Sequence, residues 1–115
     1  MKRNPKGYLA DMYASMEKIE KYIFGLDAAA FASQDLVIDA VIRNLEIIGE
    51  AARNIPQELK DQHSDIAWKS MTALRNLAIH EYFGIDTSIL WTIITRDLPG
   101  TKQQIHVMLD DVSLL

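Results

Sequence analysis

Residues 36–56 read LVIDAVIRNLEIIGEAARNIP. Apolar side chains recur there at steps of three and four: Leu36, Val37, Ala40, Val41, Leu45, Ile48, Ala51, Ala52 and Ile55. An α-helix returns to the same face every 3.6 residues, so this spacing lays one apolar stripe along a long amphipathic helix. Pro56 closes it, because a residue before proline avoids the α region.

The same period extends outward in both directions. Upstream, Leu9, Met12, Tyr13, Met16, Ile19 and Ile23 form a second stripe. Gly25 suits the position just past that helix, and Asp27 or Ser33 can cap the next segment. Downstream, Pro56 can open a short helical turn over Gln57 to Gln62. A third helix is expected after Ser64 or Asp65, running through Trp68, Met71, Leu74, Leu77 and Ala78 toward His80, with Gly84 as its break. Asp86 caps a fourth, with Ile89, Leu90, Ile93 and Ile94 on one side, and Pro99-Gly100 is expected to end it. A last helix from Thr101 to about Val112 carries Ile105, Met108, Leu109 and Val112. No stretch alternates apolar and polar for long enough to read as a strand. The fold class expected is all-α, an antiparallel bundle of four to five helices with short loops, and residues 1–115 are read as one domain.

Composition bounds the function. The chain has 115 residues, 49% hydrophobic and 24% charged. It is long enough to bury roughly two-thirds of its unfolded surface, and it is too apolar for intrinsic disorder. It has no cysteine, which excludes disulfides, thiol nucleophiles and thiolate metal sites. Twelve Lys and Arg against sixteen Asp and Glu give a net charge of −4, which argues against bulk electrostatic binding of nucleic acid or anionic membrane. Lys2, Arg3 and Lys6 precede a polar helix with no apolar leader core, and no apolar run approaches the ~20 residues of a membrane span. A cytoplasmic protein without membrane contact is expected.

A bundle with inward carboxylates raises the question of a di-metal site, which needs Glu-x-x-His pairs on two helices. None is present. Glu46 and Glu50 share a helix face, but His63, His80 and His106 stand at no ligand spacing. No metal and no other cofactor is expected.

Residues 68–82, WKSMTALRNLAIHEY, hold the strongest chemistry. On a helix of about 100° per residue, and relative to Arg75, Asn76 stands near 100°, His80 near 140° and Tyr82 near 340°. Asn76 and His80 are then neighbours at i, i+4, and Arg75 and Tyr82 line an adjacent face. Arginine is a fixed-charge, fork-shaped phosphate ligand. Histidine titrates near neutrality and serves as general acid or base. Asparagine can hold the imidazole or a phosphate oxygen. Such a set suffices for metal-free RNA cleavage: a base removes the 2′-OH proton, the 2′-oxygen attacks the adjacent phosphate, and Arg75 stabilises the phosphorane. The spacing by itself equally fits a solvated helix face ending in a histidine.

Arg75-Asn76-x-x-x-His80 resembles the signature of HEPN domains, all-helical ribonuclease bundles. The longer Arg75-x4-His80-x-Tyr82 resembles the HepT branch, the toxin half of HepT/MntA toxin–antitoxin modules. The resemblance covers nearly the whole chain. Residues 44–51 (NLEIIGEA), Trp68, residues 80–86 (HEYFGID), Leu90-Trp91 and residues 97–99 (DLP) are similar to the family's blocks in the same order. The resemblance implies a HEPN-like bundle acting as a homodimer, with the two motif helices facing across a shared cleft. It implies Arg75 and His80 as the catalytic pair of a metal-independent endoribonuclease with 2′,3′-cyclic phosphate products, and Asn76 as a supporting group. It implies a type VII-like toxin, silenced when a small MntA-like nucleotidyltransferase antitoxin adenylylates Tyr82, and the dimer could assemble further with that partner. The alternative within the superfamily is a catalytically inactive HEPN adaptor that binds nucleotide or scaffolds a nucleotidyltransferase.

Local charge agrees with an RNA substrate. From Ile66 to His80 there is no acidic residue, while Lys69, Arg75 and His80 lie there. Doubled in a dimer, that strip would make a narrow cationic cleft, with the acidic residues facing elsewhere. Trp68 and Trp91 are expected in or beside the core, Met12, Met16 and Met71 in it, and Lys2, Arg3 and Lys6 on a frayed, solvated terminus. Leu114-Leu115 reads as a partner contact or a disordered end.

Overall fold

Asn4 starts the first helix: its side-chain oxygen accepts the Lys6 amide N–H at 2.8 Å, and Pro5 comes next, where a missing N–H costs nothing. The computed structural model describes residues 3–77, 84 and 86–111. Helix α1, Pro5–Ile23, buries Leu9, Met12, Met16 and Ile19. Past it Gly25 takes a φ of +80°, a left-handed conformation that costs glycine little. Asp27 accepts the Ala30 N–H and caps a short α2, Ala28–Ala32, whose Phe31 is buried. Next come helix α3, Asp35–Arg53, then α4, Gln57–Gln62, and α5, Trp68–Ala73. Helix α5 tightens into a 3-10 turn over Leu74–Asn76. Asp86 caps α6, Thr87–Thr92, by accepting from the Ser88 N–H and hydroxyl. A π-helical turn, Ile93–Asp97, leads into α7, Leu98–Asp110.

Among the described residues there is no strand, and the all-α bundle read from the periodicity is what the chain forms. Helix α3 is its centre. Helix α1 packs along one flank, and α5 with its 3-10 turn along the other. Burial on α3 is therefore wider than one stripe: Ile42 and Asn44 are covered along with Val41, Leu45, Ile48, Ala51 and Ala52. Leu36, placed in the stripe by its spacing, is 83% exposed, while Val37 and Ile38 in the same turn pack against the core. The methionines at 12, 16 and 71 and Trp68 belong to the core, and the half-buried Trp91 packs on Phe31 at 5.3 Å between ring centres.

Three expectations need correction. Pro99 does not end a helix. The Leu98 N–H donates to Ile93 O, five residues back, and the backbone stays helical through Asp97 and Leu98. Proline clashes with the carbonyl four residues back in a regular α-helix. The widened π turn just before it relieves that register, so Pro99 sits in the first turn of α7, where its missing N–H is not needed. The third helix begins at Trp68 without a side-chain cap, not after Ser64 or Asp65. Instead Asp65 accepts from Gln104 Nε2 through both its backbone and carboxylate oxygens, which ties the α4–α5 loop to α7. Arg3 is not frayed: it pairs with Asp11 at 2.7 Å and covers the Tyr8 ring. Lys2 and Leu114-Leu115 lie outside the described residues. No helix among the described residues is long and apolar enough to cross a membrane.

Candidate functional site

Helix α5 turns Trp68, Met71 and Leu74 inward and leaves Lys69, Arg75 and Asn76 exposed. Trp68 anchors this register. Its indole N–H donates to His63 O at 3.0 Å, so a large buried ring also satisfies its polar atom. Over Leu74–Asn76 the chain advances by about 120° per residue rather than 100°. The even α-helical angle used to place Asn76 beside Arg75 therefore does not hold in this turn. His80 and Tyr82 lie outside the described residues.

Gly49 of α3 lies against the motif backbone. A Cβ at that position would stand 2.4 Å from Arg75 N and 3.0 Å from its Cα and Cβ, well inside contact distance with backbone that cannot swing away. A glycine inside a helix costs about 1 kcal/mol relative to alanine, and here it lets α3 and the motif segment touch. That mid-helix glycine was the available signal for the contact.

The next residue on α3 supplies what the local reading missed. A Glu50 carboxylate oxygen lies 3.2 Å from Arg75 Nε, and its other oxygen lies 3.3 Å from Arg53 Nη1. The expectation that acidic residues face away from the cationic strip is overturned at this point. The acid comes from another helix, so the absence of acids between Ile66 and His80 could not reveal it.

Arg75 and Asn76 open onto a groove of about 780 Å³ between α4 and α5. Lys60 and Lys69 line it, with Trp68 at its wall. One acid, Asp61, also lines it, and its carboxylate accepts from Gln57 Nε2 at 2.9 Å. Neither lysine has an ion-pair partner among the described residues. Three cations thus share one concave surface on an acidic protein, which suits an elongated polyanion. Among the described residues no three His, Asp or Glu side chains gather as a metal-binding set.

Of the expected site residues, the structure therefore places Arg75 and Asn76 side by side on the groove and adds Glu50, Lys60 and Lys69 around them.

Comparison with known proteins bears on the same segment. The family described as "Ribonuclease HepT-like" matches residues 12–108. A Thermococcus cleftensis protein named "Probable ribonuclease HepT" is 41% identical over 102 residues, 89% of this chain and 93% of that one. A provisionally named RNase of Methanocaldococcus jannaschii is 37% identical over 107 residues, 93% of this chain and 98% of its own length. A provisionally named RNase of Caldanaerobacter subterraneus is 33% identical over 107 residues, covering 93% and 96%. No solved structure matches the chain. The family match spans α1 to α7 and includes the whole motif segment, and relatives of the same length align almost end to end: the chain belongs to the HepT-like ribonuclease family.

Proposed function

We propose that this chain is a metal-independent endoribonuclease whose catalytic pair is Arg75 and His80, and that it acts in the cytoplasm as the toxin half of a type VII-like toxin–antitoxin pair. The observation that carries the reading is the exposed Arg75-Asn76 pair on a groove flanked by Lys60 and Lys69. The names of the relatives support RNA as the substrate. His80 takes the proton from a ribose 2′-OH, and the 2′-oxygen attacks the adjacent phosphorus. The bond to the 5′-oxygen breaks, and that oxygen leaves with a proton from the acid. The products are a 2′,3′-cyclic phosphate and a 5′-hydroxyl. The Arg75 fork carries the extra negative charge of the phosphorane, and Asn76 orients the phosphate or the imidazole. Each chain has one histidine at the motif, so a homodimer that brings two motifs to one cleft supplies acid and base separately.

Silencing rests on the same chemistry. A nucleotidyltransferase antitoxin of the MntA type that adenylylates Tyr82 places a phosphate and a base beside the motif, filling the cleft and repelling RNA.

The test is cleavage of an RNA oligonucleotide by purified protein in chelator, with the new ends identified by mass. Arg75→Ala and His80→Ala are each expected to cost about 100-fold or more in rate with helicity intact. Full activity in either variant overturns the catalytic assignment. Complex formation with a nucleotidyltransferase but no loss of RNA assigns the adaptor role instead. After co-expression with the antitoxin, intact mass is expected to rise by whole AMP units mapping to Tyr82. Neutralisation without any mass change means that inhibition works by binding alone.

A further inference from the structure

We infer that Glu50 is the positioning residue for Arg75, holding the guanidinium side-on so that its distal fork faces the RNA phosphate. The inference rests on the ribonuclease reading of the groove. A guanidinium carries one N–H on Nε and four on its two Nη atoms, and bidentate phosphate recognition uses two parallel N–H groups. The Glu50 carboxylate stands 3.2 Å from Nε, an ion pair without a hydrogen bond. Among the described residues no acid other than Glu50 pairs with Arg75. The carboxylate thus restrains the long side chain while the fork stays available.

Two further features set this contact. Gly49 brings the α3 backbone against Arg75 N, which fixes the height of residue 50 on the motif. Arg53, one helical turn on, holds the second oxygen of Glu50. With two guanidinium groups on one carboxylate, the trio stays cationic, so Glu50 orients Arg75 without turning the surface against an anion. The pair is solvent-exposed, with 40% and 50% of the two side chains accessible. Exposed pairs contribute little to folding, so the contact is expected to matter for geometry and not for stability.

The experiment compares wild type, Glu50→Ala, Glu50→Gln and Arg75→Ala of the full chain on one RNA oligonucleotide. Glu50→Ala is expected to lower kcat by about 2- to 5-fold through misplacement of the fork, with KM little changed. Its melting temperature should stay within about 2 °C of wild type. Glu50→Gln keeps the size of the side chain but removes its charge, so it should lose kcat about as far as Glu50→Ala does. An unchanged or raised kcat in Glu50→Ala overturns the inference, the second outcome marking Glu50 as a competitor of the phosphate. A glutamine variant with wild-type kcat overturns it, since the contact is one of charge. If Arg75→Ala is inactive while Glu50→Ala is normal, only the positioning role falls. If Arg75→Ala cuts normally, the ribonuclease reading falls. Apart from cleavage, the Arg75 Nε–H should give a ¹⁵N resonance that is perturbed in both Glu50→Ala and Glu50→Gln, because each removes the adjacent charge. A resonance indifferent to both overturns the inference whether or not RNA is cut.

Discussion

Arg75 has two roles to reconcile, a charge and a shape. Lysine would preserve the first and lose the second, because an ammonium is a point charge without a planar fork. Arg75→Lys is therefore expected to bind RNA within a few-fold of wild type but to lose about 10-fold or more in kcat/KM, roughly 1.4 kcal/mol of transition-state stabilisation. Equal catalysis by the lysine variant would show that charge alone suffices. Arg75 and Asn76 could be singled out in the sequence because their spacing to His80 is local and carries a recognisable chemistry. Glu50 was not. An ion pair between two helices leaves no period in the chain, and Glu50 on its own helix reads as one more solvated carboxylate.

At the scale of elements, the contact between α3 and the 3-10 turn sets the site. Gly49→Ala would add about 1 kcal/mol of helix propensity in α3, yet its Cβ would press 2.4 Å from Arg75 N. Backbone has to move apart, and overpacking of this kind costs about 1–3 kcal/mol, so a net loss in urea-unfolding stability is expected. Activity should fall too, since Glu50 and Arg75 separate with the backbones. A stabilised and fully active Gly49→Ala would contradict the close approach. Helices α1 and α3 were legible because an apolar stripe repeats within one or two turns. Pro99 was misread for a physical reason: the rule against proline assumes bonds four residues back, and the Leu98 bond to Ile93 reaches five. Arg75 likewise lies on a tightened turn, so angles drawn for an even helix drift over Leu74–Asn76.

For the molecule as a whole, the net charge of −4 and the cationic groove describe different things. Lys60, Lys69 and Arg75 are the three cations on the groove, so a single strand lying there releases few counterions. The slope of log affinity against log salt is expected near −2 per groove, from about −0.7 per neutralised phosphate, and Lys69→Ala should reduce it by about 0.7. A slope indifferent to Lys69, measured by fluorescence anisotropy across a salt series, would place the RNA elsewhere. The order of residues alone determined that the chain is helical, where most helices lie, and that Arg75 and Asn76 belong to one motif, because periodicity, capping and motif spacing are short-range. Tertiary structure alone decided that Glu50 meets Arg75, that Gly49 has to be small, that helical backbone continues from α6 through the π turn past Pro99 into α7, and that Lys60 and Lys69 flank one groove. Each of these depends on which helix faces come together, and packing between segments far apart in the chain leaves no spacing to read.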